Sequence, residues 1–261
     1  MKKVIYSCLM LVALVACTDK GKNAPGKTQK VQTWYDAEKK QLKEEYFVSQ
    51  PNPEVREGEY KEFYQDGSLK EQRSYKAGKL NGTLIAFTKT GKKIEEKEYK
   101  DDMVNGRRLV YKDGIRIVEE HYASNKFEGP YKEWFDDGKT LKQEGQYVNG
   151  AMSGLWKFYY PSGKLKEEAE FAENLENGVL KSYYENGQIE GQGTMKNGDK
   201  EGHWIYYHDN GQMKEQGDYV NNLEEGPIAV LSPEGDTIKK IVYRQGLPVD
   251  YREIKLKKSK K

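Results

Sequence analysis

The sequence predicts an all-β fold, an elongated antiparallel repeat array of stacked β-hairpins forming an open twisted sheet. Three observations predict it. Glycines recur at Gly58, Gly82, Gly106, Gly129, Gly154, Gly178, Gly202 and Gly226, in steps of 24, 24, 23, 25, 24, 24 and 24 residues. A second glycine follows each of these eight or nine positions later. Finally, 12% of the chain is aromatic, including twenty tyrosines, while only 36% is apolar and 33% is charged. A compact globule of this length carries a richer apolar share, whereas disordered chains are poor in aromatics. Aromatic-rich, thin and repetitive together point to strands stacked in an array.

Each repeat justifies its own hairpin. Five residues after the opening glycine stands a large apolar side chain: Phe63, Phe87, Tyr111, Trp134, Tyr159, Tyr183, Tyr207 or Leu231. Near the end of the repeat comes another, from Tyr75 through Tyr147 and Phe171 to Tyr243. Dipeptides such as Asp66-Gly67, Asp137-Gly138, Asn186-Gly187 and Asn210-Gly211 lie between the two runs. They are expected to supply the positive φ angles of tight hairpin turns. A further turn follows the second strand, as at Asn149-Gly150 and Asn197-Gly198. One hairpin is marginal alone, so stability must accumulate between neighbours. Tyr60, Tyr131, Trp156 and Trp204 sit two residues after their glycines, with parity opposite to the position-five row. Either both sheet faces are partly covered or a bulge intervenes.

The ends differ from the middle. Residues 1–16 predict a signal peptide: Lys2 and Lys3, then a thirteen-residue apolar stretch from Val4 to Ala16, too short to span a bilayer. Leu14-Val15-Ala16-Cys17 resembles the bacterial lipobox, which implies lipidation of Cys17 and membrane attachment through acyl chains. The residue after Cys17 is not Asp, which by analogy with the enterobacterial sorting rule points to the outer membrane. Residues 17–57 are read as a polar tether, with a glycine-poor capping hairpin across 34–47. Residues 58–246 are the eight repeats, and 247–261 form a basic tail.

The segments Gly154-Leu155-Trp156-Lys157-Phe158-Tyr159-Tyr160-Pro161-Ser162-Gly163-Lys164-Leu165 and Gly202-His203-Trp204-Ile205-Tyr206-Tyr207-His208-Asp209-Asn210-Gly211-Gln212-Met213 carry a resemblance. They resemble the bacterial MORN-repeat variant, often labelled the YwqK family antitoxin component. The resemblance implies a MORN-like open sheet and a protein-interaction platform, with catalysis left to other domains. An exported antitoxin would act on an exported toxin, as an immunity protein does.

Chemistry is sparse. Cys8 and Cys17 are the only cysteines, which excludes a disulfide framework or thiolate metal site in the body of the chain. His121, His203 and His208 lack metal-ligand or catalytic spacing. Lys166-Glu167-Glu168 recurs in repeat-equivalent places and reads as a solvated strand face. Gly191-Gln192-Gly193 opens no helix and so lacks a phosphate-binding rationale. Removal of Lys2 and Lys3 leaves 42 basic against 42 acidic residues, so no global field steers nucleic acid. The expectations are therefore no enzyme, no cofactor, no metal and no nucleic acid. The partner is expected to be an envelope protein, with a carbohydrate or peptidoglycan ligand as the other class. Trp34, Trp134, Trp156 and Trp204 are the candidate contacts.

Overall fold

The computed structural model describes residues 27–249, and it is all β. Two compact bodies divide these residues, the first holding 27–116 and 122–125 and the second 117–121 and 126–249. The first body runs through β1 (Thr28–Trp34), β2 (Leu42–Ser49), β3 (Arg56–Phe63), β4 (Leu69–Lys76), β5 (Lys79–Leu80), β6 (Gly82–Phe87), β7 (Lys93–Lys100) and β8 (Met103–Lys112). The divide falls within β9 (Ile115–Ala123). The second body continues with β10 (Lys126–Phe127), β11 (Gly129–Trp134), β12 (Leu141–Val148), β13 (Ala151–Tyr159), β14 (Leu165–Ala172) and β15 (Leu175–Tyr183). It ends with β16 (Ile189–Lys196), β17 (Asp199–Tyr207), β18 (Met213–Val220), β19 (Leu223–Leu231), β20 (Thr237–Arg244) and β21 (Leu247–Pro248). Within each body strands pair antiparallel with their neighbours in sequence, as stacked hairpins require.

The capping hairpin begins earlier than 34–47. Its first strand is Thr28–Trp34, with Trp34 at the strand's end, and it pairs with Leu42–Ser49. Val31 takes the buried place that Tyr60 holds in the next hairpin. The polar residues 28–30, read as tether, are thus strand.

Two kinds of turn alternate. The turns between repeats use two positive-φ residues, such as Asn149-Gly150 (52° and 88°) and Glu173-Asn174 (52° and 71°). That is the mirror-image geometry whose twist matches the flanking strands. The turns inside repeats correct the sequence expectation. At Asp66-Gly67, Asp137-Gly138, Asn186-Gly187 and Asn210-Gly211 only the glycine has positive φ. The acidic or amide side chain instead accepts a backbone N–H two residues on, from Ser68, Lys139, Gln188 and Gln212. The loop is longer than two residues, so an Asx turn followed by a left-handed glycine closes it. Asp113-Gly114 is the exception: both residues are positive, the loop is two residues long, and its glycine comes one position early.

A clasp closes every repeat. The N–H of the last turn residue donates to the carbonyl two before the opening glycine, from Gly78→Arg56 and Asn174→Met152 to Gly246→Glu224, in all eight repeats. Where that residue is Asp102, Asn125, Asn174 or Asn222, its side-chain oxygen also accepts the N–H of the same partner. Asn174→Gly keeps the φ of 71° and loses the reciprocal bond, so it should cost about 1 kcal/mol. Asn174→Ala also strains a left-handed backbone and should cost about 1 kcal/mol more. Denaturant midpoints of the two variants check the order.

The opening glycine makes a bulge. Glu144 pairs with Lys157 and Gln146 with Ser153, so Gly154-Leu155-Trp156 lies opposite Gly145 alone. Gly154 turns the extra residues with a φ of 68°. The bulge tips Trp156 flat over the neighbouring strand, where its Nε1 donates to the Gln146 carbonyl at 3.2 Å. Trp204 repeats the arrangement over Gly193, donating to the Thr194 carbonyl. Trp156 and Trp204 are 1% and 2% exposed. In two repeats a cationic residue two before the opening glycine covers rings of this kind. Lys200 sits 4.9–5.3 Å from the centroids of Trp204, Tyr206 and Tyr219, and Arg56 packs similarly among Tyr46, Tyr60 and Tyr75. In each body one sheet face is therefore a closed aromatic core, supplemented by cation–π contact.

Candidate interaction face

Alternation along the strands places each position-five side chain on the face opposite the position-two side chain of its own repeat. Both alternatives raised by the parity of the aromatics hold at once. Both faces are partly covered, and a bulge lies at the opening glycines, as at Gly154, Gly202 and Gly226. The deepest core belongs to position two, while Tyr159, Tyr183 and Tyr207 at position five are only half-buried.

The tyrosines of this second face are tied to carboxylates one repeat back. Tyr111 donates to Glu96 at 2.6 Å, Tyr159 to Glu144 at 2.7 Å and Tyr183 to Glu168 at 2.8 Å. Gln192 takes the carboxylate's place below Tyr207. Burial first, then the hydrogen bond to the carboxylate, pushes Tyr111, Tyr159 and Tyr183 up to about 12. A phenol whose pKa is raised in the fold stabilises while it stays protonated. That contribution is complete below the unfolded value of 10.0 and is lost as pH climbs through about 12. Stability should therefore fall between about pH 10 and 12. Tyr159→Phe should flatten that loss, and urea midpoints at successive alkaline pH values check it.

In the second body the face carries a charged row. Cross-strand pairing links Glu119 to Lys132, Lys132 to Glu144, Glu144 to Lys157, Lys157 to Glu168 and Glu168 to Lys181. Six neighbouring strands thus alternate acid and base. Lys132 stands 3.5 Å from Glu144 and Lys181 3.9 Å from Glu168, loose contacts on a wet surface. The equivalent row of the first body, Gln32, Glu45, Lys61, Gln72, Ile85 and Glu96, does not alternate. On one flank of the charged row lie Leu155 and Val179, 50% and 47% exposed. Trp134, Tyr159 and Tyr183 lie on the other. These exposed aliphatic side chains beside a polar row make this the candidate contact face.

The four tryptophans separate. Trp34 lies in the first body and the other three in the second. Trp34 and Trp134 are half-buried. Trp156 and Trp204 are corrected to core: a ring this buried cannot meet a ligand unless the sheet opens. Cys17 and the basic residues of 250–261 lie outside the described residues. His203 Nδ1 is 2.8 Å from Asp218 on the exposed face, whereas His208 Nε2 reaches the Leu231 carbonyl beyond the end of β17. His121 Nδ1 meets the Pro130 carbonyl. The structure brings no two of the three histidines together in these contacts. Sequence reasoning missed Leu155, Val179 and the charged row, although Glu and Lys at fixed repeat positions were visible.

Fold and face together define a class, an all-β hairpin-repeat protein with one closed aromatic face and one open polar face. The family described as MORN repeat variant matches residues 56–77, 152–173, 176–197 and 200–221, the repeats opened by Gly58, Gly154, Gly178 and Gly202. These include both segments whose resemblance was noted from sequence. A comparison with curated proteins gave no match. Two solved structures, of TcdB2-TccC3 and of TcdB2-TccC3-Cdc42, are similar at TM-scores of 0.24 and 0.22 with 10% and 11% identity. The likeness covers 78% and 83% of this chain but 13% of each of those, so the chain spans a small part of their length. Likeness at that level says nothing about function.

Proposed function

We propose that the chain is a non-catalytic protein-interaction platform of the bacterial envelope, anchored through lipidated Cys17 in the outer membrane. The single observation that carries the contact role is the open face of the second body, where exposed Leu155 and Val179 flank ordered charges. The lipobox resemblance at Leu14-Val15-Ala16-Cys17 supports the anchor. Its partner is an envelope protein, and an exported toxin is one form that partner could take. Crosslinking of tagged protein in its native envelope, followed by mass spectrometry, should recover a protein joined to 132–181. Labelling with a fatty-acid analogue should depend on Cys17 and vanish in Cys17→Ser. Recovery of the chain in the soluble fraction with Cys17 unmodified would refute the anchor. Half-buried Trp34 and Trp134 favour a second reading, carbohydrate stacking. Glycan-array binding lost on Trp134→Ala would support that reading over the first.

A further inference from the structure

We infer that the open face of the second body pairs with the same face of a second copy of this chain. The inference names a partner for the contact face and rests on its being one. The row Glu119, Lys132, Glu144, Lys157, Glu168, Lys181 reads minus, plus, minus, plus, minus, plus across six strands. The complement of such a row must alternate at the same strand spacing with reversed sign. This row turned end for end meets that requirement. A two-fold axis parallel to the strands, between β12 and β13, sets Glu144 against the second copy's Lys157, Lys132 against its Glu168 and Glu119 against its Lys181, and the reverse. Every charge then meets its opposite, the self-complementarity that an isologous dimer requires. The same rotation keeps flank against flank, so Leu155 and Tyr159 on β13 lie beside the axis opposite β12 of the second copy, and Val179 and Tyr183 on β15 lie opposite its β9.

Several details favour charges held ready for a partner. Lys157 sits at the row's centre, and among the described residues it has no ion pair within 4.0 Å. Glu144 and Glu168 are held in place by tyrosine hydroxyls, so little side-chain freedom is left to lose on contact. Aligned sheets pack face to face with their strands within about 30° of each other. Six strands at about 4.8 Å by six residues at about 3.4 Å offer roughly 600 Å² per copy. That is a small interface, so the dimer is weak and salt-sensitive.

The test uses the full chain purified in mild detergent, with mass read by light scattering up to about 100 µM, where a small interface is still populated. Wild type should show a concentration-dependent dimer that dissociates as salt rises. Lys157→Glu should weaken it roughly tenfold or more through like-charge contact with Glu144. Glu144→Lys should do the same, and an equimolar mixture of the two variants should restore dimers, because each then meets its opposite. Circular dichroism of each variant checks that the fold is kept. A wild type monomeric throughout, a dimer indifferent to Lys157→Glu, or folded variants that fail to pair on mixing would each overturn the inference. A monomer that still crosslinks to an envelope protein would remove self-pairing and leave the interaction platform standing.

Discussion

Alanine in place of Trp156 should lower the stability of the second body by about 3–5 kcal/mol. The indole is 1% exposed and touches four aromatic rings, those of Tyr131, Tyr147, Phe158 and Phe171, at centroid distances of 5.2–6.4 Å. These rings come from β11, β12, β13 and β14, so one truncation empties the contact shared by two consecutive repeats. The Gln146 carbonyl also loses its Nε1 donor. In an array, stability is carried by nearest-neighbour interfaces, and the loss should propagate as reduced cooperativity. Tyr159→Ala on the open face provides the contrast. It removes a half-buried ring and one hydroxyl bond and should cost less than half as much. Urea denaturation followed by far-ultraviolet circular dichroism measures both.

The second large effect comes from adding a single carbon. In Gly145→Ala the new Cβ would lie 2.2 Å from Cδ2 of Trp156, well inside contact distance. The clash is with a ring fixed by neighbours on both sides rather than with the end of a flexible chain. Overpacking of this kind costs about 1–3 kcal/mol, and the upper end is expected here. Gly193 stands in the same relation to Trp204, and Gly217 to Ile228. In the intervening repeat the equivalent pair is Ala169 with Leu180, directly opposite one another. That natural pair supplies a control. Gly145→Ala should be far less costly in a Trp156→Leu background, because alanine under leucine already exists one repeat away. A double-mutant cycle should give a coupling above about 1 kcal/mol, and a coupling near zero would mean that Trp156 does not rest on Gly145.

The repeat, its hairpins and its all-β class were legible because they are written as spacing. Eight glycines in register need only counting, and the structure gives each a positive φ at a bulge. What the bulge does was not legible. It rotates the position-two side chain onto the neighbouring strand, which makes Trp156 and Trp204 core rather than contact residues. A trace was present, for a glycine stands eleven residues before Trp156, Trp204 and Ile228 alike. Reading it required knowing that this offset spans adjacent strands. The turn chemistry misled in a similar way. Asp66-Gly67 and Asn149-Gly150 look equivalent as dipeptides, yet loop length decides whether one residue or both take positive φ. The charged row was hidden for a different reason. Each Lys and Glu looks like an ordinary solvated position until strand pairing sets six of them side by side.

Hydroxyl-radical footprinting of the full chain, read residue by residue in a mass spectrometer, tests most directly which side of the sheet is closed. Trp156 and Trp204 should stay unlabelled until the protein unfolds, while Leu155, Val179 and Tyr159 should label in the native state, despite the higher intrinsic reactivity of indole. Rapid native labelling of Trp156 and Trp204, with Leu155 and Val179 protected in a monomer, would contradict the assignment of core and contact faces.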